Sequence, residues 1–210
     1  MLTLIESLTL PSLSDLTFIN RVPARFAVGW PGYSIKLLLA RSHCTITVLS
    51  LCQMSLSDKE AVALLEQVPF VKDLTIHEHR NPASDQDCPL TKALVQSLHG
   101  FTRTALHTSC QPLLPHLTSL SLVVREADKF DDLAFVEMIS SRWLPHWDPE
   151  YAVEVGLACL QSVELVFYNR QEDLTAFSSL MHLEKAGLRI FVAKEKELQR
   201  KGYQRCALCS

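Results

Sequence analysis

One spacing recurs along this chain and limits what it can fold into: two apolar residues three apart, then a third two further on. It appears as Leu13-x-x-Leu16-x-Phe18, Ile46-x-x-Leu49-x-Leu51 and Val71-x-x-Leu74-x-Ile76. After a gap it returns as Leu117-x-x-Leu120-x-Leu122 and Leu160-x-x-Val163-x-Leu165, with a looser last copy, Ala186-x-Leu188-x-Ile190, running into Phe191 and Val192. The closing alternation suits a short strand with one face buried, because successive side chains point to opposite sides of a sheet. Leucine supplies 35 of the 210 residues, enough to furnish most of these positions.

Between the copies the period changes from two to that of a helix. Ser57-Asp58-Lys59-Glu60 has the capping-box pattern and leads into Ala61, Leu64, Leu65 and Val68 on one helical face. Leu90, Leu94, Val95 and Leu98 form another stripe, with Gly100 expected as its carboxyl cap. Asp132 precedes Leu133, Val136 and Ile139; Leu174, Phe177, Leu180 and Met181 make a fourth stripe; a shorter helix is expected from Ser34 through Leu39. Strand and helix in alternation imply parallel strands, since each return must cross over.

Taking the strand starts as Leu16, Leu49, Leu74, Leu120, Val163 and Leu188 gives steps of 33, 25, 46, 43 and 25 residues. Leucine-rich repeats advance by roughly 20–29 residues, so two steps fit and three are expanded. The long steps hold the polar Asn81–Pro89 stretch and Trp143-Leu144-Pro145-His146-Trp147-Asp148-Pro149, whose prolines break a helix. The expected fold is therefore α/β: an irregular leucine-rich-repeat solenoid over residues 1–193, with a curved parallel β-sheet on its concave side and helices on its convex side. Residues 194–210 form a charged, Cys-containing tail. The alternative is an open doubly wound α/β sheet.

Composition removes several function classes. Twenty basic residues face 23 acidic ones for a net charge of −3, and the only basic cluster, Lys194 to Arg205, is broken by Glu195 and Glu197. Nucleic acid is not an expected partner, because a phosphate-tracking surface needs concentrated Lys and Arg. Nor is a membrane: no segment approaches the roughly 18 apolar residues of a spanning helix. Seven irregularly spaced cysteines and an amino terminus unlike a signal peptide suggest reduced thiols in a cytoplasmic or nuclear protein.

No enzyme signature assembles. The six glycines leave no phosphate loop or dinucleotide fingerprint, and no G-x-S-x-G elbow is present. Cys206-Ala207-Leu208-Cys209 lacks the second ligand pair of a zinc site. His77-Glu78-His79 would set two imidazoles on one face of a strand, with Cys88 as a distant third ligand, but polar residues at a sheet rim explain the triplet better. Asp128, Asp131 and Asp132 suit a helix start, where carboxylates meet the dipole. Neither a metal nor a cofactor is expected.

Several segments resemble the leucine-rich region of fungal F-box proteins. They include Leu8-Thr9-Leu10-Pro11-Ser12-Leu13-Ser14-Asp15-Leu16-Thr17-Phe18, Leu39-Ala40-Arg41-Ser42, Leu64-Leu65-Glu66-Gln67-Val68-Pro69 before Leu74-Thr75-Ile76, Leu114-Pro115-His116-Leu117-Thr118-Ser119-Leu120-Ser121-Leu122 and Met138-Ile139-Ser140-Ser141-Arg142-Trp143. In that family an F-box docks on a Skp-type adaptor of a ubiquitin ligase, and the repeats recruit the protein to be modified. The F-box itself has no counterpart here, as Leu10-Pro11 is the only early Leu-Pro pair and lies within the first repeat. What the resemblance implies is the recognition half: a non-catalytic protein-binding scaffold, with a Skp-type adaptor not expected among its partners.

In such a scaffold the residues between the strand leucines face the concave side and collect one row per repeat. The expected row is Thr17, Ser50, Thr75, Ser121, Glu164 and Arg189, with Ile19, Cys52, His77, Val123, Val166 and Phe191 next along. The surface is mixed in charge and suits a protein or peptide target. Trp143, Trp147 and Tyr151 are a candidate aromatic anchor, since Trp and Tyr are enriched at interface hot spots, although their rings would also serve to cover the core. The competing reading is a small α/β enzyme with its site at the strand carboxyl ends, where open parallel sheets bind ligands.

Overall fold

The computed structural model describes residues 5, 7–20, 30–79, 88–101, 112–125, 127–143, 156–168, 170–171 and 173–195. Among these residues six strands form one sheet: β1 (Asp15–Ile19), β2 (Val48–Cys52), β3 (Asp73–His77), β4 (Ser119–Val124), β5 (Ser162–Phe167) and β6 (Arg189–Lys194). Every neighbouring pair is parallel and the strand order is the sequence order, so the described sheet has no point at which the order reverses. Among the described residues the intervening helices are α1 (Gly32–Ser42), α2 (Asp58–Leu65), α3 (Lys92–Ser97), α4 (Asp132–Arg142) and α5 (Met181–Lys185), with 3₁₀ turns at Ala127–Lys129 and Thr175–Leu180.

The recurrent leucines define one side of the sheet. Leu16, Leu49, Leu74, Leu120, Val163 and Ile190 lie side by side across it, as do Phe18, Leu51, Ile76, Leu122, Leu165 and Val192 two residues on. They share a single apolar core with Ile35 of α1, Leu64 and Leu65 of α2, Leu94 and Val95 of α3, and Phe135 and Met138 of α4. Strand entries are built alike. The carbonyl of Ser14 accepts from the amides of both Thr47 and Val48 at 2.8 and 3.1 Å. The carbonyl of Thr47 takes those of Lys72 and Asp73, that of Lys72 those of Thr118 and Ser119, and that of Thr118 those of Gln161 and Ser162.

The sixth entry differs, which corrects the register expected for the last strand. Ile190, not Leu188, pairs with Val163. Gly187 takes φ +111° and the amide of Leu188 turns back to the carbonyl of Leu183 at 3.0 Å, so Leu188 belongs to the end of the helical turn and the strand starts one residue later. Only glycine adopts such a φ without strain. The strand also runs through Lys194, one residue beyond the expected boundary.

Local expectations about helices hold at some positions and shift at others. Ser57 and Glu60 form the complete capping box of α2. Gly100 does not cap α3 with a positive φ; instead a Cβ there would lie 2.7 Å from the Ser141 carbonyl oxygen, so its small size permits close approach to α4. In α4 the buried face is Ala134, Phe135, Met138, Ile139 and Arg142, whereas Leu133 is exposed. The stripe Leu174–Phe177–Leu180 has a spacing of three because it is 3₁₀ rather than α, and Leu183, not the exposed Met181, continues its buried side.

Candidate functional site

The opposite side of the sheet carries the residues predicted to bind. In parallel register, Thr17 of β1, Ser50 of β2, Thr75 of β3, Ser121 of β4 and Glu164 of β5 stand in one continuous row. Thr17 is exposed and the other four are half-buried. Ser121 and Glu164 are direct neighbours, and the Ser121 hydroxyl donates to Glu164 Oε2 at 2.9 Å.

Arg189 does not complete this row. It pairs with Ser162 at the strand entry, while Phe191 stands beside Glu164. This follows from the same Gly187 turn: counting from Leu188 moves every β6 residue by two positions. The middle row therefore ends in an aromatic ring rather than a guanidinium.

The next row is Ile19, Cys52, His77, Val123, Val166 and Ala193, so His77 is on the predicted face with buried Cys52 and Val123 on either side. Phe191, expected here, is replaced by Ala193. Val166 and Ala193 form a small second apolar cluster with Tyr168 and Phe191. At the strand entries the row on this face is Asp15, Val48, Asp73, Ser119, Ser162 and Arg189, charged at three of its six positions.

Beyond His77 the strand stops, and both residues expected to be rim polar groups turn inward: Glu78 and His79 are 2% and 6% exposed. Glu78 ties three segments together. Its Oε2 accepts from the Arg125 amide at 2.6 Å, its Oε1 from the Leu90 amide at 3.3 Å, and its carbonyl from Arg125 Nε at 3.1 Å. The Arg125 guanidinium lies 3.9 Å from the Tyr168 ring centroid. A buried carboxyl group held by the amides of Leu90, ahead of α3, and Arg125, just past β4, is a structural staple; sequence spacing gives no sign of it.

Trp143 packs, half-buried, against the main core, its ring 3.8 Å from where a Cβ on Gly187 would stand. Trp147 and Tyr151 lie outside the described residues, as do Cys206 and Cys209. Cys44, Cys52, Cys88 and Cys159 form no disulfide. Among the described residues no group of three or more His, Cys, Asp or Glu side chains could hold a metal ion, and no helix is long and apolar enough to cross a membrane. Of the acidic patch, Asp131 caps α4 by accepting from the Ala134 amide at 2.9 Å, and Asp132 pairs with Arg170.

Compared with protein-family models, curated proteins and solved structures, the chain matches none.

Proposed function

We propose that this chain is a protein-binding scaffold without chemistry of its own, an irregular leucine-rich-repeat solenoid resembling the target-recognition region of an F-box ubiquitin-ligase subunit. The observation that carries the reading is the row Thr17–Ser50–Thr75–Ser121–Glu164, which five consecutive strands bring into register on the side away from the leucine core. Sequential strand order, the repeated strand entries and the leucine core shared with one helix after another support the solenoid. A row of this kind offers a broad surface with few deep recesses, which fits a protein or peptide better than a small molecule.

The test is affinity capture from native cells with three baits. One is the wild type, one carries Thr75→Arg with Ser121→Arg in the row, and one carries Lys59→Glu on the exposed side of α2. A partner retained by the wild type and by Lys59→Glu, but lost from the double variant, supports the scaffold reading. Equal capture by all three baits contradicts it. The same eluates show whether a Skp-type adaptor is bound; its recovery would overturn the expectation that none is.

A further inference from the structure

We propose that this chain binds a second copy of itself head to tail, the outer edge of β6 in one copy pairing in parallel with the outer edge of β1 in the next. The inference is independent of what the sheet face binds, and it starts from the two ends of the sheet. Among the described residues β1 has β2 as its one neighbour and β6 has β5. Each therefore leaves an edge of backbone amides and carbonyls with no strand beside it, the feature of a sheet most prone to pair with another chain.

The two edges carry matching hydrogen-bonding patterns. The Asn20 amide donates to the Cys52 carbonyl at 3.0 Å, and the Arg189 amide to the Gln161 carbonyl at 3.0 Å. Backbone groups alternate in direction along a strand, so Asp15, Thr17 and Ile19 turn theirs away from β2, and Ile190 and Val192 turn theirs away from β5. With Asp15 beside Arg189 these sets interlock. The amides of Ile190 and Val192 then donate to the carbonyls of Asp15 and Thr17, and those of Thr17 and Ile19 to the carbonyls of Ile190 and Val192. Asp15 and Arg189 already belong to one row across the sheet, so the added strand continues the ladder at the same level.

Side chains select this register and this occupant. Asp15 is the one charged residue of β1, whereas the charged residues of β6, Arg189 and Lys194, are both positive. Asp15 and Arg189 are exposed, and neither has an ion-pair partner among the described residues; the Ser14 hydroxyl donates to Asp15 Oδ2 at 2.5 Å. Opposite edges attract and like edges do not, which favours joining end to end over a two-fold contact. The same register sets Leu16 beside Ile190 and Phe18 beside Val192, four half-buried residues on the core side of the sheet. A shift of two residues keeps the hydrogen bonds but parts Asp15 from Arg189 and leaves one apolar pair uncovered. Next to Ile190 and Val192 lies a groove lined by Leu174, Phe177, Leu180 and the exposed Met181. In the extended array it receives the segment leading into β1 of the added copy, where Leu10 is exposed.

Sedimentation velocity of the full chain over a concentration series tests this, with circular dichroism confirming that each variant folds. The expected result is an average mass that rises past the dimer with concentration, since a head-to-tail contact leaves each end open to another copy. Asp15→Lys and Arg189→Glu should each weaken association at least about tenfold. The chain carrying both has opposite charges at the junction again and should recover it. Val192→Pro removes an outward-pointing amide, a change tolerated on an edge strand, and should abolish association with the fold retained. A chain that stays monomeric at every concentration, as when residues 196–210 or another protein hold the β6 edge, overturns the proposal. So does an assembly that stops at a dimer, or one indifferent to the charge reversals and the proline.

Discussion

Arg142 shows what one side chain contributes to joining successive segments. It is fully buried at the end of α4, and its guanidinium donates to the carbonyls of Leu98, Leu113 and Leu114, the last at 3.0 Å. Leu98 ends α3, where unsatisfied carbonyls carry the negative end of the helix dipole. Leu114 holds φ +51°, a conformation a leucine adopts only when its neighbours impose it. Burial pushes the Arg142 pKa down to about 10, so it remains protonated at neutral pH in the folded and unfolded chain alike. The sign follows: the folded state binds fewer protons only above about 10, and Arg142 gives stability no slope near neutrality. Arg142→Met would leave three carbonyls unsatisfied and should cost about 3 kcal/mol or more, while Arg142→Lys, which cannot span all three, should cost less. Urea unfolding measures both. A methionine variant as stable as wild type would show that the carbonyls find other donors.

Among the elements, the helix starts are fastened to one another in series. Asp58, first residue of α2, accepts from the hydroxyl of Thr91, the residue before α3, at 2.8 Å. Lys92, first in α3, pairs at 2.7 Å with Asp131, the cap of α4, and Asp132 pairs with Arg170 beyond β5. The bond to Lys92, then the Ala134 amide, holds the Asp131 carboxyl below the usual range. A lowered folded pKa means that its stabilisation is complete above the ordinary carboxylate pKa of about 3.9 and is lost as pH falls through the folded value. Asp131→Ala should therefore cost about 1 kcal/mol at neutral pH, as loss of a cap usually does. Asp131→Asn should stay close to wild type at neutral pH, because asparagine caps equally well and the exposed pair with Lys92 adds little. Thermal melts over a descending pH series distinguish them: the small gap between wild type and Asp131→Asn should narrow as pH falls through the lowered carboxyl value. A wider gap in acid would contradict the sign. These joints also mark how far sequence could be read. The Ser57–Glu60 capping box follows from local pattern whereas Gly100 does not cap α3, and five of six strands have the expected register. The sixth departs from it because the backbone turn at Gly187 leaves the apolar alternation of Leu188, Ile190 and Val192 unchanged. Phe191 stands one row from its expected place for that reason, and the burial of Glu78 and Arg142 leaves no sign in the sequence because a charged residue has no local signature for burial.

For the molecule as a whole, burial is graded along the sheet. The core-facing residues of β2 to β5, Leu49, Leu51, Leu74, Ile76, Leu120, Leu122, Val163 and Leu165, are at most 1% exposed, whereas Leu16 and Phe18 of β1 and Ile190 and Val192 of β6 are only half-buried. The principal packing runs between sequence neighbours, strand to next strand and helix to next helix. In such an array each unit is stabilised mainly by the two beside it, so an end strand, with one neighbour, opens at lower free energy than a central one. A compact sheet with long-range cross-packing would instead open as a unit. Hydrogen exchange read by mass spectrometry should therefore show amides of β3 and β4 exchanging at least about tenfold more slowly than those of β1 and β6, which corresponds to about 1.4 kcal/mol in opening free energy. Arg142→Met should narrow the contrast on one side of the sheet, exposing β4 and β5 more than β2, because the bonds it removes join α3, the Leu113–Leu114 turn and α4. Uniform protection across all six strands, falling evenly in the variant, would count against a quasi-one-dimensional array and against the solenoid proposed for this chain.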